Sequence, residues 1–309
     1  MINPRIRAKD RIYGELPEHL KELMEKYVLT EEEHLRILEE IKEQSYAGKI
    51  PEENPEYIIV LGQTGSGKSN LTSAIYRKKA SNLVIIDTDK YKAYRSDNDE
   101  LRRNHLVEYA FLTAPDAYLH RDEMIVDAMS KRYNILMECA PSRKDGLFID
   151  IEELQRQGYT VEICVLGVSA LNSLISVHER YEANMLLNME SAKLTSIDRH
   201  DDSFESMNSV IREVQKNLKC VIKVYERGRE YPFVPEMIYS SNDDERRFSC
   251  ALEALSFAQQ RDFKLTLQTF ERRFKILDSQ MESRNAPEEQ IKQLEEVKDR
   301  YIKEKDNTR

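Results

Sequence analysis

Gly62-Gln63-Thr64-Gly65-Ser66-Gly67-Lys68-Ser69 is the stretch on which the reading of this chain turns. It matches G-x-x-x-x-G-K-[ST], a glycine-rich loop whose backbone N–H groups turn inward on phosphates. Its setting fits that role. A continuous apolar run, 57–61, leads into the loop, and Leu71 and Ile75 mark an amphipathic helix behind it. Strand, loop and helix in this order aim a helix N-terminus at an anion. The pattern predicts that Gly62, Gln63, Thr64, Gly65, Ser66, Gly67, Lys68, Ser69 and Asn70 hold a nucleoside triphosphate. Lys68 is expected at the β- and γ-phosphates and Ser69 on Mg²⁺.

Short apolar runs at 82–86, 133–137, 159–166 and 220–225 follow, separated by amphipathic stretches. A parallel sheet covered on both faces requires that alternation. The fold class expected is α/β, a three-layer αβα P-loop NTPase with a mostly parallel sheet over residues 57–242. Residues 1–56 read as an N-terminal helical segment, in which Pro17 could open one helix and Thr30 with Glu33 makes a capping box. From about residue 243 the strand pattern stops. Phe263, Leu267, Phe270, Phe274, Leu277 and Met281 recur in steps of four and three, the seam of a coiled coil. After the turn Asn285-Ala286-Pro287, Ile291, Leu294, Val297 and Tyr301 line a second helix. Residues 243–309 are therefore expected to form a C-terminal helical hairpin, its seam either intramolecular core or an oligomer interface.

Composition narrows the function classes. The 309 residues are 40% hydrophobic and 33% charged, with a net charge of −9. That balance lacks the basic stripe of a nucleic-acid binder. Cys139, Cys164, Cys220 and Cys250 show no metal-ligand spacing and read as reduced thiols. Residues 1–9 carry no apolar core for an export signal, and no run approaches the ~18 apolar residues of a membrane span. A cytoplasmic location is expected, without membrane or nucleic-acid partners.

The run 82–86 delivers Asp87-Thr88-Asp89 to its C-terminal end, the edge where open α/β sheets bind ligands. One carboxylate there could take the proton of an attacking hydroxyl while the other holds water on Mg²⁺. The blander alternative for the triplet is a solvated turn or a helix cap. The run 133–137 ends likewise in Glu138, followed by Cys139-Ala140-Pro141-Ser142-Arg143. Tyr91 and Tyr94 suit a substrate pocket or plain packing. His120 and His178 read as surface residues, and His200 with Asp201 as a local hydrogen-bonding pair.

In order along the chain, these segments resemble the zeta-toxin family of bacterial toxin–antitoxin systems. The loop resembles that family's G-Q-P-G-S-G-K-[ST], Ile86-Asp87-Thr88-Asp89 its I-D-x-D, and the run ending at Glu138 its glutamate strand. Glu179-Arg180-Tyr181-Glu182 resembles its E-R-Y-E helix, and His200-Asp201 a downstream H-D pair. The resemblance covers about residues 30–230. It implies an ATP- and Mg²⁺-dependent kinase that phosphorylates a hydroxyl of UDP-N-acetylglucosamine or a related UDP-amino sugar. Asp89 would be the base, Asp87 would join Ser69 at the metal, and Lys68 would act on the phosphates. Arg180 and Lys193 would be lid cations, with Arg199 a rival to Lys193. Asp122 or its neighbour Glu123, Glu138 and Arg143 would contact the substrate. Small helical antitoxins neutralise such toxins, so the resemblance implies a partner of that kind. In the phosphate loop Thr64 replaces a proline; the other departures concern the sugar side, where Ala140 replaces a threonine and Lys193 an arginine, and Arg143 aligns only with one inserted residue. A kinase for another small hydroxyl metabolite or nucleoside, and an ATP-binding regulatory protein without phosphotransfer, are the alternative readings.

Overall fold

The computed structural model describes residues 18–105, 108–141, 147–187, 194–217, 219–230, 233–245 and 247–307. Its strands are β1 (Glu56–Leu61), β2 (Val84–Ile86), β3 (Ile135–Cys139), β4 (Thr160–Gly167), β5 (Val221–Glu226) and β6 (Glu236–Ser240). They form one sheet in the order β2-β3-β1-β4-β5-β6. β2 runs parallel to β3 and β4 parallel to β5, while β6 is antiparallel to β5. The helices in chain order are α1 (Glu18–Lys26), α2 (Glu31–Tyr46), α3 (Lys68–Lys78), α4 (Thr88–Tyr91), α5 (Asn98–Asn104), α6 (Tyr109–Ser130), α7 (Leu147–Arg156), α8 (Ala170–Leu186) and α9 (Ile197–Asn217). Beyond the sheet come α10 (Ala251–Thr266), α11 (Phe270–Ser283) and α12 (Glu288–Asn307). The fold is α/β with a mostly parallel sheet, as the alternating runs predict.

The strands lie where continuous apolar runs demand them. Every residue of β1 after Glu56 is buried, which suits a strand covered on both faces. Each such branched side chain contributes about 1.5–3 kcal/mol by leaving water. Two departures have local causes. β2 starts at Val84 rather than at residue 82, because the Asn82 amide pairs with both backbone groups of Ile50 and holds the chain in a loop. The sixth strand went unread because only Tyr239 and Ser240 of β6 are buried, so it carries no apolar run. The C-terminal region is also more than a hairpin. α10 precedes it, and a 3₁₀ turn at Leu267–Thr269 breaks the seam into two helices.

The chain divides into two compact units. The first comprises Met1–Ile58, Tyr76–Met137 and Ile149–Thr160. Here Thr30 caps α2, its Oγ accepting from Glu33 N at 3.2 Å, a contact worth about 1 kcal/mol. The Glu33 carboxylate turns instead to the Ser96 hydroxyl, so only half of the capping box forms. Leu20 and Met24 of α1 pack with Leu101 of α5 and Leu112 of α6. α2 lies on α6 through stacked imidazoles, His34 on His120, with ring centroids 4.2 Å apart.

The second unit comprises Ile59–Ile75, Glu138–Phe148 and Val161–Arg309. The C-terminal seam is used inside it. Phe270, Phe274, Leu277 and Met281 of α11 and Leu294, Val297 and Tyr301 of α12 bury against Leu171, Leu174 and Ile175 of α8 and Ile197 of α9. No described helix is long and apolar enough to cross a membrane.

Candidate functional site

In the second unit β1 ends at Leu61 and α3 begins at Lys68, leaving residues 62–67 as the connecting loop. Gly65 and Gly67 have φ of +81° and +94°, the left-handed region that side chains disfavour. A Cβ on Gly65 would lie 2.1 Å from the Ser173 carbonyl oxygen, so the loop sits against α8 as only glycine allows. Gly62 N donates to Cys139 O at 3.3 Å, tying the loop to the end of β3. Lys68 Nζ arches back to the Gly62 and Gln63 carbonyls at 2.7 and 3.1 Å. A left-handed glycine loop, a helix N-terminus and an ammonium suit a polyphosphate.

The loop is braced from behind. Gln63 is fully buried, and its Nε2 donates to Val168 O at 2.9 Å and to Ser173 Oγ at 3.0 Å. Ser173 Oγ meets His200 Nε2 at 2.8 Å, His200 Nδ1 meets Asp201 Oδ1 at 3.0 Å, and Arg300 of α12 donates to Asp201 Oδ2 at 2.6 Å. A carboxylate only accepts, so Nδ1 carries the imidazole proton and Nε2 accepts from the Ser173 hydroxyl. Burial lowers the pKa of His200, Asp201 opposing it, which agrees with a neutral ring. The His200-Asp201 pair is thus structural, and it connects α12 to the phosphate loop.

Ser69 stands in the first turn of α3, and its hydroxyl donates to Glu138 Oε2 at 3.4 Å. Ile86 pairs with Met137 in the β2–β3 ladder; Asp87 directly follows β2, and Glu138 lies within β3. A hydroxyl beside a carboxylate is a fitting donor set for a hard cation. Among the described residues no group of three or more His, Cys, Asp or Glu could hold a metal by itself. Mg²⁺ at Ser69 would therefore rely on phosphate oxygens and water, which is its habit in phosphoryl-transfer sites.

α8 carries Glu179-Arg180-Tyr181-Glu182. Arg180 is exposed, while its neighbours are fastened to the C-terminal helices. Arg273 binds both oxygens of Glu179 at 2.7 Å, and Arg284 both oxygens of Glu182 at 2.7 Å. Tyr181 OH accepts from Gln290 at 3.0 Å. At the N-terminus of α8, the buried Asp262 of α10 accepts from Ser169 and Asn172. The helix that presents Arg180 is held at four points.

The first unit holds the remaining acids. Asp87 caps α4, its Oδ1 accepting from Asp89 N at 3.1 Å and Lys90 N at 3.3 Å. The Asp89 side chain is 88% exposed and paired with Lys92 Nζ at 2.5 Å. On α6 the two neighbouring acids differ. Glu123 accepts from His34 Nε2 at 2.7 Å, whereas Asp122 is buried, binds Arg121 through Oδ1 and, among the described residues, leaves Oδ2 without a partner. Tyr91 is buried, and the Tyr94 hydroxyl donates to Gln44. His120 and His178, read as surface residues, are both 1% exposed, because each lies on the packed face of a long helix. Arg143 and Lys193 lie outside the described residues; Arg199 is exposed at the start of α9.

Four arginines escaped the sequence reading: Arg227, Arg273, Arg284 and Arg300. The last three sit on the polar faces of α11 and α12 or in the turn between them, and nothing near them in sequence names their partners. Arg227 did carry a signal. It directly follows β5, at the same kind of strand end that singled out Asp87 and Glu138.

A buried strand, a left-handed glycine loop and a helix opening on lysine and serine define a P-loop nucleotide-binding protein with a kinase-like fold. The Zeta toxin family matches residues 40–237, and the chain belongs to that family. It is 28% identical to toxin zeta of Enterococcus hirae over 186 residues, 60% of this chain and 65% of that protein. It is 24% identical to toxin PezT of Streptococcus pneumoniae over 212 residues, 69% and 82% of the two. The chain thus spans about 65% of the length of the Enterococcus relative. Among solved structures, the PezAT chromosomal toxin–antitoxin system of Streptococcus pneumoniae matches with a TM-score of 0.69 at 21% identity, covering 82% of this chain and 98% of that one. A complex of AvrRxo1-ORF1 and -ORF2 with ATP matches with a TM-score of 0.51 at 15% identity, covering 80% and 77%. At such identities these two likenesses speak for the fold.

Proposed function

We propose that the chain is a cytoplasmic ATP-dependent kinase that phosphorylates a hydroxyl of UDP-N-acetylglucosamine or a related UDP-amino sugar. The observation that carries the reading is the phosphate loop with Ser69 against Glu138, in a chain of the zeta toxin family. In this reading the loop and Lys68 hold the triphosphate, and Ser69, with Asp87, holds Mg²⁺, which supplies charge neutralisation at the phosphates. Asp89 removes the proton of the acceptor hydroxyl. Its ion pair with Lys92 supports the role, since a base must be charged to accept. Asp122, Glu123, Glu138 and Arg143 orient the acceptor. Arg180 and Lys193 cover the transferring group and stabilise its charge, the larger part of catalysis in phosphoryl transfer. The relatives named as toxins, and the neighbour described as a toxin–antitoxin system, support a small helical antitoxin as partner.

The test is incubation with ATP, Mg²⁺ and a panel of nucleotide sugars, alongside shikimate-like and nucleoside acceptors. UDP-N-acetylglucosamine or a close relative should gain one phosphate. Lys68→Ala and Asp89→Ala should each lower turnover by at least about 100-fold, the usual weight of a general base. Consumption of another metabolite while every UDP-sugar stays intact would replace the acceptor, and ATP binding without any transfer would leave a regulatory protein.

A further inference from the structure

Arg227 stands one residue past β5, at the C-terminal end of a strand parallel to β4. Its guanidinium faces the phosphate loop. A Cβ built on Gly67 would meet Arg227 Nε at 3.7 Å and no other atom within 4 Å. Among the described residues its hydrogen bond is a single one, from Nη1 to Ser176 Oγ at 3.1 Å. No described carboxylate lies within ion-pair distance of it. The acids nearby are committed elsewhere: Glu179 to Arg273, Asp262 to Ser169 and Asn172, Glu226 to Arg261 at 2.6 Å. Arg273 even shares the Ser176 hydroxyl, at 3.1 Å, so two guanidinium groups converge on one small neutral group.

Such an arrangement is costly for stability alone. A guanidinium has five donors and always carries its charge, and removing it from water without an anion is unfavourable. Burial, assisted by the repulsion of Arg273, lowers the pKa of Arg227, with Asp262 and Glu179 opposing at longer range. A brace for α8 would not need this: Arg273 and Arg284 brace it with full carboxylate pairs. What Arg227 lacks among the described residues is an anion, and the loop it faces is built to hold one.

We propose that Arg227 is a second cation for the nucleotide's polyphosphate, acting with Lys68 from its place next to Gly67. The inference rests on the ATP site proposed above and deepens it. A planar fork together with a point charge would hold the chain of phosphates in one orientation, because guanidinium groups bind phosphate oxygens in pairs.

The test is calorimetric titration of the full chain with ATP, tripolyphosphate and adenosine, without acceptor, for the wild type and Arg227→Gln. The variant should bind ATP and tripolyphosphate about tenfold or more weakly, the weight of a hydrogen bond to a charged group, and bind adenosine as the wild type does. A role confined to bracing would lower all three together or none. Equal ATP affinity in variant and wild type would overturn the inference and leave the kinase reading standing; a wild type that binds no ATP would overturn both. Should Arg227→Gln fail to fold, Arg227→Lys decides, since it keeps the charge and loses the fork. Weaker tripolyphosphate binding with unchanged adenosine binding then supports the contact, and unchanged binding of both removes it.

Discussion

His120 and His178 show what single positions contribute to stability. Each is 1% exposed, and each has its pKa lowered from 6.5 to about 4, chiefly by burial. Among the described residues neither ring nitrogen of His178 has a partner. The unfolded chain takes up these protons as the pH falls through 6.5, while the folded chain refuses them until about 4. The unfolded state therefore binds more protons across that window, and stability falls with the pH by about 1.4 kcal/mol per unit for each histidine. Denaturant midpoints at pH 7, 6 and 5 should decline accordingly. His178→Leu should hold or raise stability at pH 7, since it removes an unsatisfied buried polar group, and should make the decline shallower by one proton. A decline as steep as the wild type's would mean that His178 is protonated in the fold. None of this was legible in the sequence, where an isolated histidine on a helix gives no sign of which face is packed.

At the level of elements, legibility follows the source of each element's stability. β1, β3 and β4 could be read because strands covered on both faces are continuous apolar runs. β5 could be read because its residues, alternately half-buried and buried, still form a short apolar run, and the phosphate loop because its glycines are dictated by backbone geometry. The fastening of α8 could not be read, because Arg284 and Glu182 are 102 positions apart and look like two surface charges. In the fold Glu182 is 1% exposed, so the pair is effectively an interior one. Arg284→Ala should strand that carboxylate and cost about 3–5 kcal/mol in urea unfolding. Adding Glu182→Gln should restore part of the loss, since the stranded charge is then gone. By contrast Lys298→Ala, which breaks pairs with the half-exposed Asp278 and Glu295, should cost under about 1 kcal/mol. Similar losses in both single variants would show that Arg284 is no more than a surface partner.

For the molecule as a whole, the C-terminal helices complete the second unit. The family match ends at residue 237, yet α11 and α12 cover Leu171, Leu174, Ile175 and Ile197. A chain cut before Phe270 should expose that apolar face, bind a hydrophobic dye and aggregate, whereas a separable appendage would leave a soluble remainder with unchanged melting. The a/d spacing did reveal the seam, but a seam looks the same whether its partner is α8 or a second chain. The hydrogen-bonded line from Gln63 through Ser173, His200 and Asp201 to Arg300 has one more consequence, in time rather than in space. Synthesis runs from the N-terminus, so the phosphate loop leaves the ribosome long before the helix that backs it. A half-made copy carries the loop without its brace, and the cell that makes this protein meets the braced form only after α12 has been released.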